Sequence, residues 1–408
     1  MSPLRATTNP GKRKKFTLDP NPCKQRELLS RAQARPAFSV ALRVVPERSQ
    51  TLISIADYEA AAEAVLSRGA HGYFYGGAAD EITLRDNLDA WARLAVRPRV
   101  LVGVGDRDPS VTLLGRRRPH PLIVAPMAYQ KLASDEGEVA TARAAAATGT
   151  TMCLSTFANV TIGELAEAVP EVSRWFQLYV FSDRGITREL IAQAVEHGYE
   201  ALVVTVDLPV GGVRERETRT ESDQASAHLV PAAVQAGLEG DRSRTEFASL
   251  TDPDLSWSDI ERFAADWALP VIVKGLLTPE DAVLAAEHGA RGIVVSNHGG
   301  RQLDTVLSAA DALPAIVDAV GDRLEVIVDG GVRRGTDVLK ALALGARAVM
   351  VGRPLLWGLS VDGAAGARHV LELLLAEFDS AIALAGAPRA AQLDRRFVCT
   401  APWAASSR

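Results

Sequence analysis

The chain has 408 residues, 47% of them hydrophobic and 23% charged, with a formal net charge of -5 at pH 7. That is the composition of a globular enzyme with one large core or two ordinary ones, and it gives no electrostatic reason to expect nucleic acid as a partner. No run approaches the ~20 apolar residues that cross a bilayer, and three widely spaced cysteines, Cys23, Cys153 and Cys399, imply neither a disulfide framework nor a zinc site. The expectation is a soluble, metal-free protein of a reducing compartment, the cytoplasm.

Residues 1–50 differ in kind from the rest. They carry Lys12-Arg13-Lys14-Lys15, several prolines and few acids, with no periodic apolar pattern before about Phe38, and read as a disordered basic extension. A targeting peptide is the alternative, opposed by the prolines and by the lack of an amphipathic face. From Ser54 the spacing of Ile55, Tyr58, Ala62 and Val65 predicts a helix. Then comes Gly72-Tyr-Phe-Tyr-Gly-Gly-Ala-Ala-Asp80, whose aromatics can pack on a core or send a tyrosine hydroxyl to a ligand. A second helix is expected from Thr83 to Leu94, followed by an extended connector over 96–100.

Beyond it the pattern becomes regular. Strand-like runs occur at 122–125, 151–155, 175–180, 201–207, 270–274, 292–296, 324–329 and 348–352, separated by helical segments around 134–148, 161–168, 186–198, 257–267, 279–288, 308–319, 335–344 and 366–384. Eight near-continuous apolar strands alternating with amphipathic helices predict a (β/α)8 TIM barrel with an N-terminal helical extension. An open doubly wound sheet would also alternate, but no glycine fingerprint of a dinucleotide fold opens the first unit. The domain boundaries expected are an extension at 1–50, the barrel at 51–385 and a C-terminal tail at 386–408. One connection is too long: 208–256, rich in Arg, Glu, Ser and Thr, far exceeds the usual two to six residues of such a loop and reads as a lid over the barrel mouth, or as a disordered insertion.

A parallel barrel opens the carboxyl end of every strand on one face, so polar residues there converge. Gln177 and Tyr179 end the third strand, Thr205 and Asp207 the fourth, Lys274 the fifth, and Ser296-Asn-His-Gly-Gly-Arg301 the sixth. Any one of these could be a turn residue or a solvated strand end. Together, a histidine that titrates near neutrality and a forked arginine cation three residues later suit an organic acid. After strands seven and eight, Asp329-Gly-Gly-Val-Arg333 and Gly352-Arg353 place glycines and arginines where barrels commonly bind phosphate, which predicts a phosphorylated cofactor, with Asp329 free to accept from hydroxyls along its chain.

Ser296-Asn-His-Gly-Gly-Arg-Gln-Leu-Asp304 closely resembles the signature of the FMN-dependent (S)-2-hydroxy-acid oxidases and dehydrogenases, the family of glycolate oxidase, lactate oxidase and mandelate dehydrogenase. The likeness extends through Ala125-Pro126, Glu136-Gly-Glu138, Phe176-Gln-Leu-Tyr179, Thr205-Val-Asp207, Val273-Lys-Gly275, Asp329-Gly-Gly-Val-Arg-Arg-Gly-Thr-Asp337 and Val351-Gly-Arg-Pro354, thus about residues 53–385. It implies FMN on the barrel mouth, with phosphate at Gly331, Arg333, Gly352 and Arg353. The ring would lie near Ser155, Gln177 and Thr205, and Ala125, Pro126, Met127, Ser296 and Asp329 would also touch the cofactor. Lys274 would face the pyrimidine edge, stabilising negative charge on the reduced ring.

The same resemblance makes His298 the base and Asp207 its partner, with the substrate carboxylate on Arg301, Arg214 and Tyr73 and the substrate hydroxyl on Tyr179. The reaction implied is oxidation of a 2-hydroxy acid to the 2-oxo acid, with oxygen reoxidising the flavin to give hydrogen peroxide. The residues depart from the glycolate-oxidase pattern at Phe157, where a tryptophan is usual, and at Met127, which replaces a polar residue. Asp207-Leu-Pro-Val-Gly-Gly-Val-Arg214 and Ala128 look most like the lactate-oxidase branch and favour a small substrate, lactate or glycolate. Mandelate as substrate, use of another electron carrier, diphosphate isomerisation on an FMN barrel and a flavin-binding module without turnover are the alternatives. A homotetramer is what the resemblance implies for assembly.

Overall fold

A computed structural model describes residues 51–220 and 251–406. The basic segment 1–50, Cys23 and the middle of the expected lid, 221–250, lie outside the described residues. The first helix, Ile55–Val65, starts on a capping box: the Ser54 hydroxyl accepts from the Asp57 amide and the Asp57 carboxylate accepts from the Ser54 amide. Two further helices, Arg68–Tyr75 and Ile82–Ala92, precede the barrel. The first of these is where the aromatic cluster sits, so Gly72 and the tyrosines are helical.

Three short strands come before the barrel: β1 (Leu94–Val96), β2 (Val111–Leu113) and β3 (Arg116–Arg118), the last two forming a hairpin. The barrel strands are β4 (Leu122–Val124), β5 (Thr151–Ser155), β6 (Arg174–Leu178), β7 (Leu202–Thr205), β8 (Val271–Leu276), β9 (Gly292–Val295), β10 (Glu325–Val328) and β11 (Ala348–Val351). All pair in parallel and the sheet closes when β11 pairs with β4, Val351 opposite Val124. The closed (β/α)8 barrel read from the alternation is therefore the fold, with each predicted strand in place. Its interior is a packed layer that includes Ile123, Cys153, Trp175, Val203, Ile272, Val294, Ile327 and Met350. Apolar on both faces, such strands have no water-facing side to show as an alternation.

The outer helices begin where local chemistry dictates. Thr161 and Glu164 form a capping box, and Thr278 caps a helix with Pro279 in its first turn, where the missing N–H is no loss. The last helix, expected from 366, runs Arg353–Ala385 with non-helical geometry at Asp362 and Gly363. Its first turns follow directly on Gly352, because a proline at 354 is tolerated there and does not mark a loop.

The segment after 385, expected as a tail, is packed against the body. Strand β12 (Val398–Thr400) pairs antiparallel with β1, the Asp108 amide donates to the Pro388 carbonyl and the Ala401 amide to the Arg93 carbonyl. Residues 94–96, expected as helix end and connector, are a strand because β12 supplies the partner. Among the described residues no helix is long and apolar enough to cross a membrane.

Candidate active site

The turn after β9 is built around left-handed backbone. His298, Gly299 and Gly300 have φ of 59°, 63° and 75° in succession. A Cβ on Gly300 would stand 2.7 Å from the backbone of Leu84, so glycine is required there on both counts. His298 is held in the same left-handed region, which histidine enters more readily than most side chains. The Ser296 hydroxyl accepts from the His298 amide at 3.0 Å, and Asn297 Oδ1 accepts from the Gly300 amide at 3.0 Å.

His298 Nδ1 lies 2.9 Å from Asp207 Oδ1. A carboxylate only accepts, so Nδ1 carries the proton and Nε2 keeps the lone pair. The Tyr179 hydroxyl stands 3.5 Å from Nε2. Burial pushes the histidine pKa below its ordinary value, aided by Lys274 and Arg214 and opposed by Asp207. Burial alone would raise the Asp207 pKa, but His298 and Lys274 overcome it and hold the carboxylate below its usual range. The free site thus contains a neutral imidazole oriented by an ionised carboxylate, which is the state a general base needs. Gly275 is part of the arrangement: a Cβ there would meet the Asp207 side chain at 2.6 Å.

A cavity of about 440 Å³ opens beside this histidine. With two exceptions, every site residue singled out from the sequence lines it: Tyr73, Tyr179, Arg214, Lys274, His298 and Arg301, together with Ala125, Pro126, Met127, Ser155, Gln177, Thr205, Asp329, Gly331, Arg333, Gly352 and Arg353. The exceptions, Asp207 and Ser296, sit directly behind His298 and Lys274, which contact them. Tyr129, Glu217, Gly330 and Met350 also line it and were not singled out. Tyr129 carries no polar motif. Glu217 lies in Glu215-Arg-Glu-Thr-Arg219, which reads as a solvated charged stretch until its three-residue distance from Arg214 is noticed.

At one end, Arg301 is anchored by Nη1 to the carbonyls of Tyr73 and Gly76, and its guanidinium lies over the Tyr73 ring at 4.9 Å. Arg214 donates from Nε to the Arg301 carbonyl at 3.0 Å and from Nη2 to Gln302 Oε1 at 2.8 Å. Burial and the neighbouring Arg214 charge lower the Arg301 pKa to about 10, which leaves it a cation at neutrality. The Phe157 and Tyr179 rings lie 4.9 Å apart, tilted by 31°, as an aromatic wall.

At the other end, Lys274 Nζ donates to Ser296 Oγ at 3.0 Å and stands 3.4 Å from Asp329 Oδ2. Burial works against its charge, yet Asp329 and Asp207 outweigh burial and raise its pKa. Four buried polar atoms on this side have no hydrogen-bond partner in the protein: Gln177 Nε2, Thr205 Oγ1, Asp329 Oδ1 and Arg333 Nε. Buried orphans are costly, and here all four belong to residues of one cavity wall. Gly330 and Gly331 follow with φ of 90° and 78°, and Arg333 lies 4.6 Å over Trp357. Arg353, by contrast, spends its donors on the carbonyls of Phe74, Gly76 and Gly299.

The cavity lining carries five cations, Arg214, Lys274, Arg301, Arg333 and Arg353, against two carboxylates, Glu217 and Asp329. An excess of buried positive charge with unsatisfied donors fits a phosphorylated, polar-edged ligand, and the neutral histidine beside an arginine pair fits a second, carboxylate ligand. Fold and site together define a β/α barrel enzyme that takes a phosphorylated cofactor beside a carboxylate-bearing substrate. Residues 62–400 match the FMN-dependent dehydrogenase family. The chain belongs to that family, and FMN is its cofactor.

The chain is similar to L-lactate oxidase of a Nostoc species, 46% identical over 356 residues that cover 85% of this chain and 98% of the relative. It is also similar to human 2-hydroxyacid oxidase 1, 44% identical over 364 residues that cover 87% of this chain and 98% of that one. Among solved structures, that of a mandelate oxidase superposes with a TM-score of 0.79 at 40% identity, covering 86% of this chain and 98% of its own.

Proposed function

We propose that the protein oxidises a short (S)-2-hydroxy acid, of the lactate or glycolate type, to the 2-oxo acid with oxygen as electron acceptor. The observation that carries this reading is the convergence on one cavity of His298, backed by Asp207, with the guanidiniums of Arg214 and Arg301. The names of the relatives, an L-lactate oxidase and a 2-hydroxyacid oxidase, support it. Arg301 and Arg214 take the substrate carboxylate, each charge-assisted hydrogen bond contributing about 1.5–3 kcal/mol. Tyr73 adds a contact, and Tyr179 meets the substrate hydroxyl. His298 Nε2 takes the proton released as the hydroxyl becomes a carbonyl, and Asp207 stabilises the imidazolium so formed.

Gln177, Thr205, Asp329 and Arg333 have the free polar atoms to hold FMN, with Ala125, Pro126, Met127, Ser155, Ser296, Gly331, Gly352 and Arg353 around it. The chemistry FMN would supply when bound is acceptance of the carbon-bound hydrogen and two electrons from the substrate, and their passage to oxygen, which with the proton held on His298 gives hydrogen peroxide. Lys274 provides a fixed positive charge where negative charge develops. A cytoplasmic homotetramer completes the reading, its assembly supported by the family resemblance.

The test is direct. The purified protein should be yellow, its visible absorbance should bleach anaerobically with (S)-lactate or glycolate, and peroxide should appear in air. No bleaching across a broad panel of 2-hydroxy acids would overturn the proposal. A second reading, an aromatic substrate such as mandelate, is favoured by the aromatic wall of Tyr129, Phe157 and Tyr179 and by the superposition on a mandelate oxidase. Faster bleaching with (S)-mandelate would select it.

The pH dependence follows from the histidine. Its folded pKa is depressed, so the base-competent form is present at and above pH 6.5, and kcat/KM should fall only as pH drops below that ordinary value. Asp207→Asn removes the one neighbour that opposes the depression. The acid limb should then move to still lower pH while the plateau drops about 10²-fold or more, as an unstabilised imidazolium requires. A limb that moves to higher pH would contradict the assignment of Asp207.

A further inference from the structure

The helix Glu215–Thr220 presents alternate chemistry on its two sides. Arg219 pairs with Glu215 on the exposed side, whereas Glu217 is 4% exposed and lines the cavity. Close approach to the helix Arg68–Tyr75 makes this possible: a Cβ on Gly72 would stand 2.0 Å from Thr220 Oγ1, so only glycine lets the two helices meet. Glu217 Oε2 consequently sits 3.4 Å from Arg214 Nη1 and 3.7 Å from Arg301 Nη2. A carboxylate in this position is not needed to keep either arginine in place, because backbone carbonyls and Gln302 already anchor both. What it changes is charge.

We infer that Glu217 is a specificity-determining residue: it leaves the arginine pair with a single net positive charge, so that the cavity accepts a 2-hydroxy acid with one carboxylate and disfavours one with two. The inference rests on the proposed role of Arg214 and Arg301 as the carboxylate clamp. Two guanidiniums and Glu217 are balanced by one incoming carboxylate. A second carboxylate would find no uncommitted cation at this end among the described residues: Arg353 shares the Gly76 carbonyl with Arg301 and gives its other two bonds to the carbonyls of Phe74 and Gly299. Asp207 beside neutral His298 adds charge of the same sign, and Lys274 is already offset by Asp329 at 3.4 Å. Like charges confined in a low-dielectric cavity repel over several ångströms with little screening.

The test uses the FMN-loaded enzyme and two variants, Glu217→Gln, which keeps the shape and removes the charge, and Glu217→Asp, which keeps the charge. Steady-state kinetics with (S)-malate and (S)-lactate give the discrimination. Absorbance titrations of the flavin with malonate and propionate give binding without turnover. For Glu217→Gln, the malate-to-lactate ratio of kcat/KM should rise at least about tenfold, carried by KM, with a matching gain for malonate over propionate. Glu217→Asp should retain the wild-type preference. Equal losses for both acids in both variants, or an unchanged ratio in Glu217→Gln, would show a merely structural carboxylate and overturn the inference. If the wild-type enzyme oxidises no monocarboxylic acid, the proposed function fails instead, and the malonate and propionate titrations still decide the role of Glu217.

Discussion

Replacing His298 with alanine should leave the protein yellow but slow its anaerobic bleaching by (S)-lactate at least about 10³-fold, within the range that a positioned general base contributes. The reason is geometric. Nδ1 is committed to Asp207 at 2.9 Å, and no other neutral nitrogen base lines the cavity among the described residues. His298 contributes nothing to the wall that carries the four orphaned polar atoms, so flavin retention should be unaffected. Because position 298 has a φ of 59°, alanine also introduces backbone strain. His298→Asn is the control, since asparagine tolerates left-handed geometry yet is not a base. Both variants should lose bleaching, and asparagine should unfold closer to wild type. Rapid bleaching by either would remove His298 from the role of base.

Arg301→Lys should raise KM for the hydroxy acid and lower kcat/KM by about 10²–10³-fold, although the charge is kept. Arg301 divides its donors: Nη1 holds the Tyr73 and Gly76 carbonyls, which leaves Nε and Nη2, the latter 3.7 Å from Glu217, for a substrate. One ammonium cannot do both at those positions. Two lost charge-assisted bonds at about 1.5–2 kcal/mol each, the lower part of the usual range, account for the size of the effect. Steady-state kinetics beside a thermal melt check it. Unchanged KM with a normal melt would refute the clamp.

The strands and the site were legible in the amino-acid order for the same reason. A strand buried on both faces needs a short unbroken apolar run, and the polar residue that ends it stands out. Thus Val203-Val204-Thr205 and Ile293-Val294-Val295-Ser296 announced both the barrel and its mouth. What escaped depended on partners distant in sequence. Leu94–Val96 is a strand only because Val398–Thr400 lies against it, and Arg68–Tyr75 holds two glycines that argue against a helix until the neighbouring helix at 215–220 is seen to need one of them, Gly72. Glu217 escaped because its meaning comes from two arginines, one of them 84 residues away by numbering.

The first and last barrel strands meet side by side, Val124 against Val351, and the chain leaves each of them straight into the same cavity wall, at Ala125 and Gly352. A flavin that touches both Ala125 and Gly352 would bridge the seam at which the sheet joins its own beginning, acting as a rivet between the two ends of the strand order. Occupancy by the cofactor would then oppose unzipping of the barrel at its natural opening point, coupling the enzyme's lifetime in the cell to its supply of FMN.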